Sequence, residues 1–212
     1  MWHLRLFREL ASDDHVDEVW YSAPHMKDPD QLTLTTELRA KTAHVHEALD
    51  ASLTHAFGQV DQYIAFLRAS YRVLSNLDGA LNSLIARPMA ERCEQIATDL
   101  QQLGQSTPTE QPAVWRPSNV AEAMGCAYVV EGSRLGGLML SKVVQRQLDL
   151  TATNYLRGKG PLTKDMWKNF MRELDSWGER AAIADRQRAA SGSTATFSAY
   201  TRCFADEGLM EA

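Results

Sequence analysis

The stretch EGSRLGGLMLSK, residues 131–142, lies in the middle of a segment that otherwise has the pattern of one long helix, from Ser118 to about Leu150. The glycines inside this segment are Gly125, Gly132, Gly136 and Gly137. A glycine in a helix interior costs about 1 kcal/mol relative to alanine, so together they weaken the isolated helix by about 3–4 kcal/mol. This cost indicates that the protein needs bare backbone at these positions.

Most of these glycines fall on one side of the helix. When the segment is projected at about 100° per residue, the positions that share one narrow face are Ala121, Gly125, Gly132 and Gly136, with Tyr128 at its edge. That face is therefore nearly bare of side chains over several turns. Two interpretations stay open here. Another helix packs closely against the face, or a broad flat ligand lies against the backbone and a glycine kink keeps the helix near it.

The rest of the chain also has a helical pattern. The other segments predicted as helices are residues 33–55, 61–85, 88–104, 164–177 and 181–207, the last weakened by SGSTAT in its middle. No alternating segment rich in valine and isoleucine predicts a strand. The predicted fold class is therefore all-α. One helical domain at residues 31–212 follows an N-terminal extension or arm, residues 1–30, which is acidic and contains two prolines.

Composition narrows the class of protein. Of the 212 residues, 44% are hydrophobic and 23% charged, and the formal net charge of −5 argues against nucleic acid as a partner. The three cysteines are scattered singly, which favours a reducing compartment over a disulfide framework. No apolar run approaches the roughly 18 residues of a membrane span. We therefore expect a soluble cytoplasmic protein without a membrane partner.

One histidine is placed to reach into the helical domain. On the first predicted helix, His46 lies beside the apolar stripe that contains Thr42 and Leu49, whereas His44 should face solvent. Arg39 lies on nearly the same face as His46, about 10 Å away along the helix. His46 could be an ordinary partly buried histidine and Arg39 an ordinary solvated charge. A nitrogen ligand with a cation two turns away also suits an anionic metal macrocycle.

The two faces together predict a haem held between them. His46 would bind the iron from one side, which is the standard role of histidine in haem proteins, and the glycine face would cover the other. All six histidines lie within the first 55 residues, so none is placed on the glycine side. A bis-histidine electron carrier is therefore improbable, and the open position beside bare backbone leaves room for dioxygen.

Three stretches resemble one known family, the haem oxygenases. LRAKTAHVHEALD, residues 38–50, resembles their proximal-helix signature, in which a threonine precedes the ligand histidine by four positions, here Thr42 and His46. AYVVEGSRLGGLMLSK, residues 127–142, is similar to the distal-helix signature of bacterial members. TATFSAYTRCF, residues 194–204, resembles their C-terminal helix, where a phenylalanine packs near the haem. The resemblance covers about residues 33–207 and excludes the N-terminal arm.

The resemblance implies a mainly helical single domain that binds haem as both substrate and cofactor. With dioxygen and electrons from an external reductase or ferredoxin, such an enzyme opens the ring to biliverdin, carbon monoxide and ferrous iron. The implied axial iron ligand is His46. The implied distal catalytic residues are Gly132, Ser133 and Gly136. The residues implied to bind the haem are Arg39, Thr42, Tyr128, Gly137, Lys142 and Phe197.

The sequence departs from mammalian-type members at one position of the distal motif. Those members have an aspartate directly after the first distal glycine, where it orders water near the reacting oxygen. This chain has Ser133 there, as do bacterial members with this motif. Water ordering then falls to the backbone, or to Ser133 and Arg134, and the edge of the haem that is cut stays open.

Three other functions fit parts of the sequence. A haem carrier or sensor would bind haem without bleaching it to biliverdin when electrons and air are supplied. A di-iron carboxylate enzyme would use Glu-x-x-His pairs, and the 212 residues contain neither these nor Asp-x-x-His. A helical interaction module would need neither face. The sequence leaves open the reductase, the biliverdin isomer and the oligomeric state. It also leaves open whether the product serves iron release or a bilin-binding photoreceptor.

Overall fold

A computed structural model describes residues 32–53, 57–109 and 114–210 of the chain. The expectations for the arm at residues 1–30 and for His55 lie outside these ranges. The described residues form helices and connecting segments without a strand, which confirms the all-α prediction. The helices are α1 (Leu34–Ser52), α2 (Val60–Ile85), α3 (Ala90–Gln102), α4 (Val120–Leu148), α5 (Asn154–Arg157), α6 (Leu162–Arg180) and α7 (Ile183–Asp206).

The glycine-containing segment forms the single helix α4, as predicted, with slightly different ends. Its N-cap is Asn119 rather than Ser118, because the Asn119 side chain accepts a hydrogen bond from the backbone N–H of Glu122 at 3.0 Å. The Glu122 carboxylate in turn accepts the N–H of Ser118 at 2.8 Å. At the other end Asp149, with φ 52°, takes the left-handed conformation that stops the helix.

The predicted final helix, residues 181–207, is confirmed: α7 continues through SGSTAT without a break. Polar side chains there bond within their own helix, as when Thr196 Oγ1 donates to the Gly192 carbonyl at 2.8 Å, and α7 packs along α4. Helix α5 was not predicted. It forms because the buried Asp99 carboxylate on α3 accepts the backbone N–H groups of Asn154 and Tyr155 at 2.8 and 2.9 Å.

Two apolar clusters surround α4. The larger joins α4 to α2, α3 and α7, and its fully buried members include Leu67, Leu77, Ile96, Val130 and Cys203. The smaller joins α4 to α1 and α6 through Leu38, Met124, Leu135, Phe170 and Leu174. Helix α1 also packs on α7 and α6. None of the helices in the described ranges is both long and apolar enough to cross a membrane.

Helices α4 and α7 approach each other at backbone contact. A Cβ atom built on Gly125 would lie 1.8 Å from the carbonyl oxygen of Ala189, and one on Gly192 would lie 2.4 Å from that of Glu122. Real Cβ atoms essentially never come within 3.0 Å of such atoms, so glycine is required on both helices. This crossing fixes the N-terminal part of α4 against the domain.

Candidate active site

The glycines of α4 have different neighbours, so one explanation does not cover them all. Gly125 meets α7, and a Cβ on Gly137 would lie 2.7 Å from the carbonyl oxygen of Leu156 in α5. A Cβ on Gly132 would make only an ordinary contact with the ring of Trp167, at 3.5 Å. A Cβ on Gly136 would meet no atom of another described part of the chain within 4 Å. Close packing therefore explains Gly125 and Gly137, and the interpretation of Gly125 as part of a ligand face is wrong. The space beside Gly136 is open.

His46 is half-buried on α1, with 37% of its side chain exposed. Its Nδ1 lies 3.0 Å from Oδ2 of Asp50, one turn later, and the centroid of its ring lies 5.5 Å from that of Phe197 on α7, edge to face. His44 is exposed, which confirms the prediction for it. A carboxylate beside one ring nitrogen orients an imidazole and makes the other nitrogen, Nε2, the atom that binds a metal. The structure therefore pairs the predicted ligand with Phe197 and adds Asp50.

Arg39, Thr42 and Tyr128 meet where α1 lies against α4. Burial raises the pKa of Tyr128, and the Arg39 charge together with hydrogen bonding to Arg39 and Thr42 opposes that rise. The Thr42 hydroxyl is buried and donates to the Leu38 carbonyl at 2.8 Å, while Arg39 is exposed. Tyr128 is thus a neutral phenol that joins the two helices one turn before His46 on α1 and one turn before Gly132 on α4.

Ser133 contacts a residue that the sequence analysis missed. Its hydroxyl donates to the Val130 carbonyl at 2.8 Å and accepts a hydrogen bond from the buried guanidinium of Arg92 at 3.2 Å. Arg134, the other residue considered for water ordering, donates to the Glu131 carboxylate at 2.7 Å. Burial, followed by repulsion from Arg92, lowers the pKa of Arg134. The side chains of Ser133 and Arg134 therefore each have a hydrogen-bond partner within the protein.

Lys142 lies almost three turns beyond Gly132 on α4 and is exposed to solvent. Two clefts of the described structure lie elsewhere. One, of about 510 Å³, is lined by residues that include Asn119 and Trp177, and the other, of about 310 Å³, by residues that include Glu91 and Asn154. Neither cleft contains a histidine or a predicted site residue, so we place the candidate site by its chemistry, at His46 and the bare turn of α4.

Of the residues that the sequence analysis missed, one had a local signal and one did not. Asp50 follows His46 by four residues, the spacing at which two side chains of a helix meet, so it could have been found. Arg92 donates to partners 38, 41 and 63 residues away, at Val130, Ser133 and Tyr155. No short-range pattern indicates such a set of contacts.

The chain is similar to known haem oxygenases over most of its length. The family model described as Heme oxygenase matches residues 32–206. A curated protein named Heme oxygenase, from Xanthomonas campestris pv. campestris (strain 8004), is 28% identical over 169 residues, which cover 73% of this chain and 98% of that protein.

Two solved structures show the same fold. The NO- and CO-bound heme oxygenase from Neisseria meningitidis matches with a TM-score of 0.71 at 23% identity, covering 86% of this chain and 95% of that one. The heme oxygenase from Leptospira interrogans matches with a TM-score of 0.67 at 19% identity, covering 82% of this chain and 100% of that one. Because the family model spans residues 32–206, the chain belongs to the haem oxygenase family of haem-degrading enzymes.

Proposed function

We propose that the protein cleaves haem, with dioxygen and electrons from an external reductase or ferredoxin, to biliverdin, carbon monoxide and ferrous iron. One observation carries this proposal. A half-buried imidazole backed by Asp50 lies one turn beyond the contact of α1 with Tyr128, and the open turn of α4 at Gly136 lies two turns beyond the same contact. The first supplies a nitrogen ligand for iron, and the second offers bare backbone to a flat ring.

On the proximal side, Nε2 of His46 would bind the haem iron. The Asp50 carboxylate at Nδ1 would hold the ring in place and fix its orientation, as carboxylates behind metal-bound histidines do. Phe197, buried and edge-on to the imidazole, would limit rotation of that ring and cover one edge of the haem. Thr42 and Tyr128 would close the same end of the site with a neutral polar pair.

On the distal side, the backbone at Gly132 and Gly136 would lie against the ring. Bound haem supplies the iron that activates dioxygen, and its own ring is the substrate that is oxidised. The protein would contribute a turn of α4 that carries no side chain at Gly132 and Gly136, so that the ring can lie against backbone there. Gly137 would contribute indirectly, because its packing on α5 keeps this turn of α4 in place.

The charged groups of the haem would lie at the rim of the site. Propionates are anionic at pH 7, and their burial without partners would be costly. Arg39 and Lys142 are both exposed, one on each of the two helices, so each can meet a propionate without being desolvated.

The test is hemin titration followed by turnover, with the variants His46→Ala and His44→Ala. Wild type should give a sharp Soret band and then, with a reductant and air, biliverdin and carbon monoxide. His46→Ala removes one ligand and little core volume, so it should fold normally and lose at least about 100-fold in turnover. His44→Ala, an exposed histidine two residues away, should match wild type. Near-normal biliverdin formation by His46→Ala without added imidazole would rule out the proximal assignment.

The same experiment separates an enzyme from a haem carrier. A Soret band that persists unchanged in air with excess reductant, while a haem oxygenase of known activity bleaches its haem in the same mixture, would show binding without degradation. The proposed products would then be withdrawn, and the binding site would stand.

A further inference from the structure

Arg92 on α3 is buried against α4 at Val130 and Ser133, the residues on either side of Glu131 and Gly132. Only 3% of its surface is exposed. Its Nη1 donates to the Val130 carbonyl at 2.8 Å, and its Nη2 donates to the Ser133 hydroxyl at 3.2 Å and to the Tyr155 hydroxyl at 3.0 Å. A guanidinium is a planar fork of donors that is expensive to bury, so three fixed acceptors around it indicate a specific structural use.

The Val130 carbonyl receives more donors than a helix provides. In a regular helix this oxygen accepts the backbone N–H four residues later, that of Arg134. Here it also accepts the Ser133 hydroxyl at 2.8 Å and Arg92 Nη1 at 2.8 Å. A carbonyl oxygen has two lone pairs, so the two side-chain donors compete with the helical bond for this oxygen. Arg92 therefore holds this turn of α4 from outside, two residues before Gly132.

The guanidinium of Arg92 is also held by Tyr155 on α5. The backbone N–H of Tyr155 donates to the Asp99 carboxylate at 2.9 Å, and Asp99 lies on the same helix as Arg92, about two turns later. The guanidinium also lies over the Tyr155 ring, 4.9 Å from its centroid. Helix α3 thus contacts α5 through Arg92 and Asp99, and Arg92 also contacts α4.

We propose that Arg92, Ser133 and Tyr155 form a clamp that sets where the Gly132–Gly136 backbone lies. Arg92 is then a positioning residue for the distal side of the site. Ser133, which stands where mammalian-type members have a water-ordering aspartate, serves this clamp through its hydroxyl. The effect on the clamped backbone is independent of ligand. The effect on haem orientation rests on the proposed function.

The first measurement is hydrogen exchange of the haem-free protein. Arg92→Met keeps length and removes both charge and fork, Arg92→Lys keeps the charge only, and Tyr155→Phe removes one hydroxyl acceptor. Amides 130–137 should exchange about tenfold faster in Arg92→Met and about threefold faster in the other two, with α2 unchanged. Arg72→Met is the matched control, because Arg72 is a mostly buried arginine of α2 that pairs at 3.1 Å with Glu207, just after α7. It should leave amides 130–137 as in wild type.

The second measurement is the biliverdin isomer ratio of the same variants, with hemin affinity determined beside it. The clamp variants should change the isomer ratio while their hemin Kd stays within about threefold of wild type, because they move the distal backbone and leave His46 intact. Arg72→Met should change neither. A protein that merely loses stability would show faster exchange in α2 as well.

Each outcome bears on the proposal. If Arg92→Met does not fold, Arg92→Lys and Tyr155→Phe decide it. Wild-type exchange at 130–137 in folded variants overturns the clamp. Faster exchange with an unchanged isomer ratio overturns its positioning role toward haem. If wild type fails to bind hemin, the proposed function fails, whereas the exchange data still decide whether the clamp exists.

Discussion

Gly125 and Gly136 lie about three turns apart on one face of α4, yet glycine is needed at the two positions for different reasons. At Gly125 the backbone of α7 occupies the space of a side chain, with the Ala189 carbonyl 1.8 Å from where Cβ would be. At Gly136 no atom of the other described helices and loops lies within 4 Å of that point. A glycine in a helix indicates that something comes close to the backbone. The fold shows whether that neighbour is another helix or a space left for a ligand.

The largest effect expected from this comparison is on stability. Gly125→Ala would push α7 away from α4, because the new Cβ would meet backbone atoms of Ala189, which cannot rotate aside as a side chain can. We expect a loss of about 3 kcal/mol in the free energy of unfolding and a drop of about 6–12 °C in Tm. Gly136→Ala is the control, and it should be neutral or more stable by up to about 1 kcal/mol. Equal Tm values for the two variants would contradict the packing at Gly125.

The next largest effect is a loss of haem oxidation in a variant that still folds normally. Gly136→Leu places a side chain in the open space where the ring and dioxygen are proposed to lie, and it removes a glycine from a helix interior. The helix content by circular dichroism should equal or exceed that of wild type. Oxidation of bound haem should fall at least about tenfold. A well-folded Gly136→Leu protein with normal turnover would show that this face does not touch haem.

Gly132 is intermediate between the two cases, because its neighbour is a side chain. A Cβ there would lie 3.5 Å from the Trp167 ring, which is an ordinary contact. Gly132→Ala should therefore fold and gain up to about 1 kcal/mol from helix propensity. Its turnover should fall by about two- to fivefold, since one methyl group is added near the site. Loss of folding would mean that Trp167 cannot move. Close packing would then explain Gly132 as it explains Gly125.

How much the sequence could predict follows from the range of each interaction. Apolar residues at helical spacing predicted the helices, because burial of one face is a local pattern. Helix α5 escaped because its N–H groups are accepted by Asp99, 55 and 56 residues away. The final helix was predicted as one segment, and packing on α4 offsets the weak helix propensity of SGSTAT in its middle.

The candidate site divides in the same way. His46 and the bare face of α4 are periodic features of single helices, and both could be read from spacing. Whether a given glycine meets α7, α5 or open space depends on helices far away in the chain. The same holds for Arg92, whose acceptors belong to two other helices. The residue types on each helix face were predictable from the sequence, whereas the helices that contact those faces were not.

The smallest effect follows from the bareness of the turn at Gly136 itself. A wall without side chains offers few contacts that resist rotation of a flat ring in its own plane, so contacts at the rim should contribute to setting that rotation. Arg39 and Lys142 are exposed, and rim charge pairs are typically worth only about 0–1 kcal/mol each. Arg39→Ala with Lys142→Ala should therefore weaken hemin binding by no more than about 30-fold.

The larger consequence of that double variant should be the choice of ring edge. Two orientations of haem that differ by about 1 kcal/mol are populated in a ratio of about five to one, so losing the rim contacts is enough to change the biliverdin isomers formed. Lys41→Ala is the control, because Lys41 is an exposed cation on α1 with no predicted role at the site. Chromatography of the products decides. An isomer pattern equal to that of wild type would mean that Arg39 and Lys142 do not orient the haem, and that orientation is set by His46, Phe197 and the clamped backbone alone.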